Sequence, residues 1–455
     1  MNRKEKRKIK KEINIFEDVV NIIKQYFPQL TQKLEELTDA RHQSYVEYKM
    51  SVITVTRLLG LLCGIKSMRG TTEKFNTEET ITNISKLLEI DLEELPHYDT
   101  INNVFEKIDI KQLRNIQKYM VNRLIRSKMF DKYRYKGKYF QIVIDGTGIT
   151  SFKERHCKHC LKKTYNKGEE NEYSIYYHYV LEAKLVVGDI VISIDSEFVE
   201  NEDENVEKQD CEIRAFYRMA ERIKAEYPKL PILISGDALY CVEPVVKICK
   251  KNKWEYIIRL KEERLKLLGE EIDGLEKAEK EEKEIRYWNN IKYGEVEFQK
   301  EANVLKYYEN KKGKTTEFMW VTSLKITEGN KEEIVHYGRQ RWKIENEGFN
   351  IQKNGTFDIG HIYSKNYNAM KAHYFFIQFA HTIRQLLEKG LKYIAEIKMS
   401  IKEVSAAITQ TLTQNLTNLT EHKKIQLRFY GWIIYKQKKK INKKRKKMKI
   451  IYTFM

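Results

Sequence analysis

No apolar run in this 455-residue chain is long enough to cross a bilayer. Its most apolar stretch, SVITVTRLLGLLCGIK, is interrupted by Arg57 and is too short. The amino terminus is charged and offers no stretch suited to a signal peptide. Six cysteines scattered over such a length make no disulfide framework, so a reducing cytosol is the expected setting. No Walker-type loop, dinucleotide glycine fingerprint or serine-nucleophile elbow is present, and no internal repeat is visible. These absences point to a cytoplasmic protein without a membrane partner. Its length exceeds one ordinary core, so two or three lobes are expected.

Charge of one sign is abundant instead, but it is unevenly placed. The formal charge is +19, while MNRKEKRKIKKE has seven basic and two acidic residues. The run from Lys436 to Lys449 has ten basic residues and no acidic one. The two ends thus carry most of the excess, as basic blocks in solvated tails do. Abundant Lys, Ile, Asn and Tyr also suggest AT-rich coding, which inflates lysine. The charge supports contact with nucleic-acid phosphates without establishing it.

The hydrophobic period divides the chain. Apolar residues recur at three- and four-residue spacing in IFEDVVNIIKQYFPQL, VITVTRLLGLLCGI and ETITNISKLLEI, so residues 1–136 are expected to form an all-helical domain. Within it, Pro96 and Asp99 mark a helix start, and Ile101, Val104, Phe105 and Ile108 form one stripe. This bundle either contacts DNA or only supports the next domain. From residue 137 short buried strands appear: FQIVID, then SIYYHYVLEAKLV and IVISIDSEFV joined at VGD. Helix–strand–helix–strand comes next, giving an α/β mixed sheet with flanking helices over 137–264. Residues 265–326 break this rhythm with a charged helix and candidate strands YGEVEFQ, VLKYYE and EFMWVTSL, a mainly β insertion before the last core helix. The core is expected to resume over 327–390, with a helical region and basic tail over 391–455.

Two of the apolar runs end on aspartate: YFQIVIDGTG places Asp145 and PILISGDALY places Asp237. Either alone suits ordinary turn chemistry. Together, each beside glycine, they would emerge at one sheet edge if their strands are neighbours, where α/β sheets hold ligands. Downstream, GRQRWKIENEGFNIQK carries Glu345 and Glu347. At about 100° per residue, a continuous helix puts Glu345 centrally on a face with Arg341, Phe349 and Gln352. Trp342, Gly348 and Tyr337 lie further out on that side. Glu347 turns away among Lys343, Asn350 and Asn354. Glu345 is therefore expected to be buried and Glu347 solvated. Two strand-borne carboxylates and one on a helix are the parts of a two-metal phosphoryl-transfer site, whose ions sit about 3.5–4 Å apart and clamp attacking and leaving oxygens.

These segments resemble the bacterial insertion-sequence DDE transposases, in the branch with a Tyr-Arg-Glu-Lys signature around the third acid. VIDGTG and ISGDALY look like the first two acid motifs and RQRWKIENEGFNIQK like the third. LPHYDTINNVFEKID resembles a segment upstream of the core in related transposases, and the likeness covers about residues 90 to 390. It implies a ribonuclease H-like core with Asp145, Asp237 and Glu345 as catalytic, metal-binding triad. It implies two Mg²⁺ ions, with Mn²⁺ as substitute. Arg341 matches the signature arginine and is expected on DNA, as are Tyr337, Trp342 and Lys353. The pattern departs at its ends: Gly338 stands where tyrosine is expected, one place after Tyr337, and Gln352 stands where lysine is expected, one place before Lys353. The implied partners are element ends and target DNA, bound by a homodimer at the nucleoid. The implied reaction cuts those ends and joins them to the target. A nuclease without strand transfer, or a descendant that only binds DNA, are the alternatives. The helical extension and the insertion argue against the first, and the intact acids against the second.

RHCKHCLKK holds Cys157 and Cys160 at CxxC spacing, half of a Zn²⁺ site. His156 or His159 with His178, or Cys211, could complete it; a reduced, unliganded basic hairpin is the other reading. Lys153, Arg155, Lys158, Lys162 and Lys163 make this segment a DNA contact in either case. Asp195 and Glu197 lack a strand-end placement and are expected to be solvated at a sheet edge.

Overall fold

A computed structural model describes residues 5, 13–261, 265–278, 284–293, 300–311, 313–414, 424–427 and 429. Both basic tails lie outside the described residues, apart from Glu5, as does most of YGEVEFQ. In chain order come helices α1 (Ile15–Tyr26), α2 (Leu30–Glu35), α3 (Met50–Leu62), α4 (Met68–Phe75), α5 (Glu78–Leu88), α6 (Tyr98–Lys107) and α7 (Ile110–Arg126). Strands β1 (Phe140–Phe152), β2 (Leu161–Tyr165), β3 (Tyr173–Val187) and β4 (Ile190–Val199) succeed them. Next are α8 (Glu212–Glu226), β5 (Ile232–Gly236), α9 (Glu243–Asn252), β6 (Glu255–Leu260) and α10 (Lys266–Ala278). Strands β7 (Ile285–Tyr293), β8 (Lys300–Lys311) and β9 (Lys314–Thr322) precede α11 (Lys331–Arg339). A π-helical turn at Ile344–Phe349 leads into α12 (Asn350–Asn354), then α13 (Tyr367–Gln385), α14 (Lys392–Ile397) and α15 (Ile401–Leu412). None of the described helices is long and apolar enough to cross a membrane.

The chain forms two compact units. The first gathers residues 1–133, 187–193 and 347–455. The expected N-terminal helices are present, but they share this unit with the C-terminal ones. Its centre is α13, which packs on α3, α6 and α7 and buries seventeen of its residues, from Tyr367 to Gln385. So thorough a burial needs partners for its polar groups. Arg384 supplies one set, donating from Nη1 to the Leu62 carbonyl and Ser405 Oγ, each at 2.9 Å. The stripe of Ile101, Val104, Phe105 and Ile108 is buried as its spacing implies. His97, rather than Asp99, caps that helix.

The second unit holds residues 134–186 and 194–346. One nine-stranded sheet runs β2-β3-β1-β5-β6-β9-β8-β7, with β4 on β3. β1, β5 and β6 are parallel neighbours; β3 and β9 flank them antiparallel. β3 and β4 meet at a tight turn where Gly188 takes φ +58°, as VGD implied. Within the segment over 265–326, read as a mainly β insertion, β9 pairs directly with β6 and carries β8 and β7 outward on the same sheet. Below it, Tyr135, Leu233, Ile257, Leu305, Trp320, Ile334 and Tyr337 form a core cluster. A Cβ on Gly338 would lie 2.6 Å from the Trp320 indole, which is why this position of α11 has no side chain.

Candidate active site

β1 does not stop at Asp145 but continues to Phe152, with a bulge between Gly148 and Thr150. Its parallel partner ends earlier. The β1–β5 register runs from Phe140↔Ile232 to Val143↔Ser235. Asp145 and Asp237 therefore each stand two residues beyond the last pair, at the carboxyl edge that the two strands share. Local backbone fixes both side chains. Asp145 Oδ1 accepts from Gly146 N at 3.0 Å, and Asp237 Oδ1 accepts from Leu239 N at 2.8 Å as the cap of a short turn.

One buried amide ties this edge together. Gln141 Nε2, on β1 four residues before Asp145, donates to Ser235 Oγ at 2.9 Å and to the Tyr337 carbonyl at 2.7 Å. Ser235 precedes Asp237 by two residues, and Tyr337 precedes Arg341 by four. Arg341 then reaches Asp145, Nη1 to Oδ2, at 3.2 Å. Its guanidinium lies 4.8 Å from the exposed Trp342 ring. Burial pushes the Asp145 carboxyl up to about 6; Arg341 opposes this, while Asp237 and Glu212 add to it.

Glu212 is the acid that sequence reasoning missed. It opens α8, and its carboxylate accepts from Tyr179 at 2.8 Å and Tyr240 at 2.9 Å. Burial raises its pKa, the two tyrosines oppose that, and Asp237 adds to it. The glycines beside the aspartates make this possible. A Cβ on Gly146 would lie 2.5 Å from the Tyr179 hydroxyl, and one on Gly236 would lie 2.8 Å from Tyr240 Cδ2. Glycine here admits tyrosine rings rather than backbone or phosphate. Gly236→Ala should lower unfolding stability by about 1–3 kcal/mol, since the Tyr240 ring must move. Urea denaturation checks this, and an unchanged midpoint would contradict it.

The third acid differs from expectation. The segment is not one continuous helix: α11 ends at Arg339, Gln340 and Arg341 form a turn, and Ile344–Phe349 is π-wound. Wider winding rotates each later residue off a 100° wheel. Glu345 is exposed, while Glu347 is half-buried with Oε2 3.8 Å from Lys389 Nζ, the reverse of the expected burial. Asp145, Asp237 and Glu345 are not among the described groups whose donor atoms all lie within 4.8 Å. Tyr337 is buried edge-on against Tyr135, in the core rather than at the surface. Lys353 is exposed on α12. Asp195 and Glu197 are buried, not edge-solvated, because α8 covers them and Arg222 bridges both, at 2.8 and 2.6 Å.

Two family models match the chain. The model described as Transposase DDE domain group 1 matches residues 201–429, which include Asp237 and Glu345. A second, described as DDE_Tnp_1-associated, matches residues 31–120 in the helical unit. The chain belongs to the DDE transposase family. No curated protein matches it.

Proposed function

We propose that this transposase cuts the ends of an insertion sequence and joins them to target DNA through Asp145, Asp237 and Glu345. The observation that carries the reading is the pair of aspartates at the shared edge of β1 and β5, with Arg341 already drawn to one of them. Burial and the neighbouring Asp237 and Glu212 load negative charge on Asp145, which a divalent cation would relieve, and hard carboxylate oxygens suit Mg²⁺ or Mn²⁺. Bound there, a pair of such ions would supply Lewis-acid activation of water or a 3′-hydroxyl and neutralise charge on the scissile phosphate.

Glu345 is the third ligand in this reading. It follows Arg341 by four residues, and among the described residues its exposed carboxylate has no structural task of the kind that occupies Glu212, whose oxygens both hold tyrosines. Arg341 neutralises Asp145 in the resting protein and turns to a DNA phosphate, which its planar fork can hold bidentately. Trp342, exposed beside it, offers a ring on which a base can stack. The ribonuclease H-like core and the Tyr-Arg-Glu-Lys branch belong to this proposal, with Tyr337 as scaffold. So do action as a homodimer bridging two element ends, and a place of work at the nucleoid.

The test uses the purified full chain, Mg²⁺, labelled duplexes bearing the element's terminal repeats, and a target plasmid. Nicked ends and joined products are expected. Cleavage without joining would favour the nuclease alternative, and binding without cleavage would favour the DNA-binding descendant. Arg341→Lys should cut about ten- to a hundred-fold more slowly, with its melting temperature retained, because a point charge positions phosphate poorly. Near-normal cleavage would return Arg341 to scaffolding.

A further inference from the structure

The connection that leaves the far end of β1 carries a second group of ligating side chains. Cys157 and Cys160 lie on the link between β1 and β2, and His178 lies on β3 opposite Thr150. Their donor atoms form a compact triangle. The two sulfurs are 3.8 Å apart, and each stands 3.6 Å from His178 Nε2. A tetrahedral Zn²⁺ with bonds of about 2.3 Å to sulfur and about 2.0–2.1 Å to nitrogen separates two sulfurs by about 3.8 Å and sulfur from nitrogen by about 3.6 Å. All three edges match. Among the described residues this is the group of three potential ligands whose donor atoms lie within 4.8 Å of one another.

We propose that Cys157, Cys160 and His178 bind a Zn²⁺ ion distinct from the ions of the aspartate site. Soft thiolates with imidazole select zinc, whereas the carboxylates at Asp145 and Asp237 select magnesium, so one chain can sort the two metals by ligand chemistry. His156 stacks on Phe152 with centroids 4.4 Å apart, and His159 Nδ1 lies 2.9 Å from the Asn201 carbonyl. Among the described residues neither joins the group of donor atoms lying within 4.8 Å of one another, so three residues are assigned to the ion and water would take the fourth position. Surrounding hydrogen bonds already shape the knuckle. The Cys160 carbonyl accepts from Asn201 Nδ2 at 3.0 Å and from Arg155 Nη1 at 3.3 Å.

The ion would fasten a link that presents Lys153 and Lys158 to solvent and leads into the exposed Lys162 and Lys163. Without it, a short chain bearing several like charges would splay. Zinc would thus fix a cationic finger that follows directly on the strand carrying Asp145, at a position where it can follow a phosphate backbone.

The experiment measures metal content in the full chain, expressed with zinc and purified under reducing conditions. About one zinc per chain is expected, and a chelator should lower the melting temperature. Cobalt substitution should give thiolate-to-metal charge-transfer absorption. Cys157→Ser and His178→Asn should lose the zinc, whereas Cys211→Ser and Asp145→Asn should keep it. Cys157 is half-buried rather than enclosed, so its serine variant is the one best able to stay folded, which circular dichroism would verify. Only background zinc in the wild type would overturn the proposal, since that measurement needs no variant. So would zinc retained by folded Cys157→Ser, or zinc that leaves with Asp145→Asn.

Discussion

Asp237→Asn should reduce metal-dependent strand cleavage by at least about a thousand-fold, roughly 4 kcal/mol of transition-state stabilisation, with the fold intact. The amide keeps an oxygen for the Leu239 N–H, so the turn after β5 survives while one anionic ligand is lost. Asp145→Asn should fail equally. Glu345→Gln should fail as well, and Glu347→Gln should cut nearly normally, because its carboxylate is engaged with Lys389. Glu212→Gln is the informative comparison. If Glu212 only holds Tyr179 and Tyr240, its amide should slow cleavage modestly and lower stability. A dead Glu212→Gln beside an active Glu345→Gln would move the third ligand to α8 and refute the role given to Glu345.

Asp145→Asn should also stabilise the metal-free protein at neutral pH, and by an amount that depends on pH. The Asp145 carboxyl is raised from an ordinary 3.8 to about 6, so the folded state holds its proton more tightly than the unfolded state. That stabilisation is fully present below the unfolded value and is lost as pH rises through about 6. A shift of this size corresponds to as much as about 3 kcal/mol, forfeited by the wild type at pH 7. Asparagine titrates nowhere in this range. Its advantage should therefore be greatest above pH 6 and disappear near pH 4. Urea midpoints for both proteins across that range, without added divalent ions, provide the measurement. Mg²⁺ or Mn²⁺ should narrow the gap at pH 7 by stabilising the wild type. An advantage equal at pH 4 and pH 7 would mean that burial and neighbouring charge do not burden Asp145.

Legibility in the sequence tracked the range of the forces involved. Asp145 and Asp237 could be placed at one sheet edge because apolar runs report strands and because neighbouring parallel strands share an edge. The helices around Ile101 and Phe105 were equally plain, since periodic burial is local. Glu345 was harder to orient. A turn at Gln340–Arg341 and a π-wound segment break the uniform rotation on which a wheel depends, and neither leaves a signal as short as a proline. Glu212 was missed because its partners, Tyr179 and Tyr240, are 33 and 28 residues distant. Only pairing of β1 with β3 and β5 brings them in. The glycines did mark the place, but not the identity of what fills it. Asp195 and Glu197 were misplaced for the opposite reason: alternating acids on a strand suggest water, and only α8, with Arg218 and Arg222, supplies the cover and the countercharge.

The Gln141 amide has a mechanical meaning as well as a structural one. A single planar group spans β1, β5 and the end of α11, so these segments are braced at a common point close behind their functional residues. Displacements that part the two aspartates must first rupture hydrogen bonds sealed from water, which makes that side of the site stiff. That brace stops at Tyr337; beyond it come the Gln340–Arg341 turn and the π-wound stretch that bears Glu345. Substrate would meet a rigid pair of carboxylates, and the third would arrive by local rewinding of a few residues, with no rearrangement of the sheet.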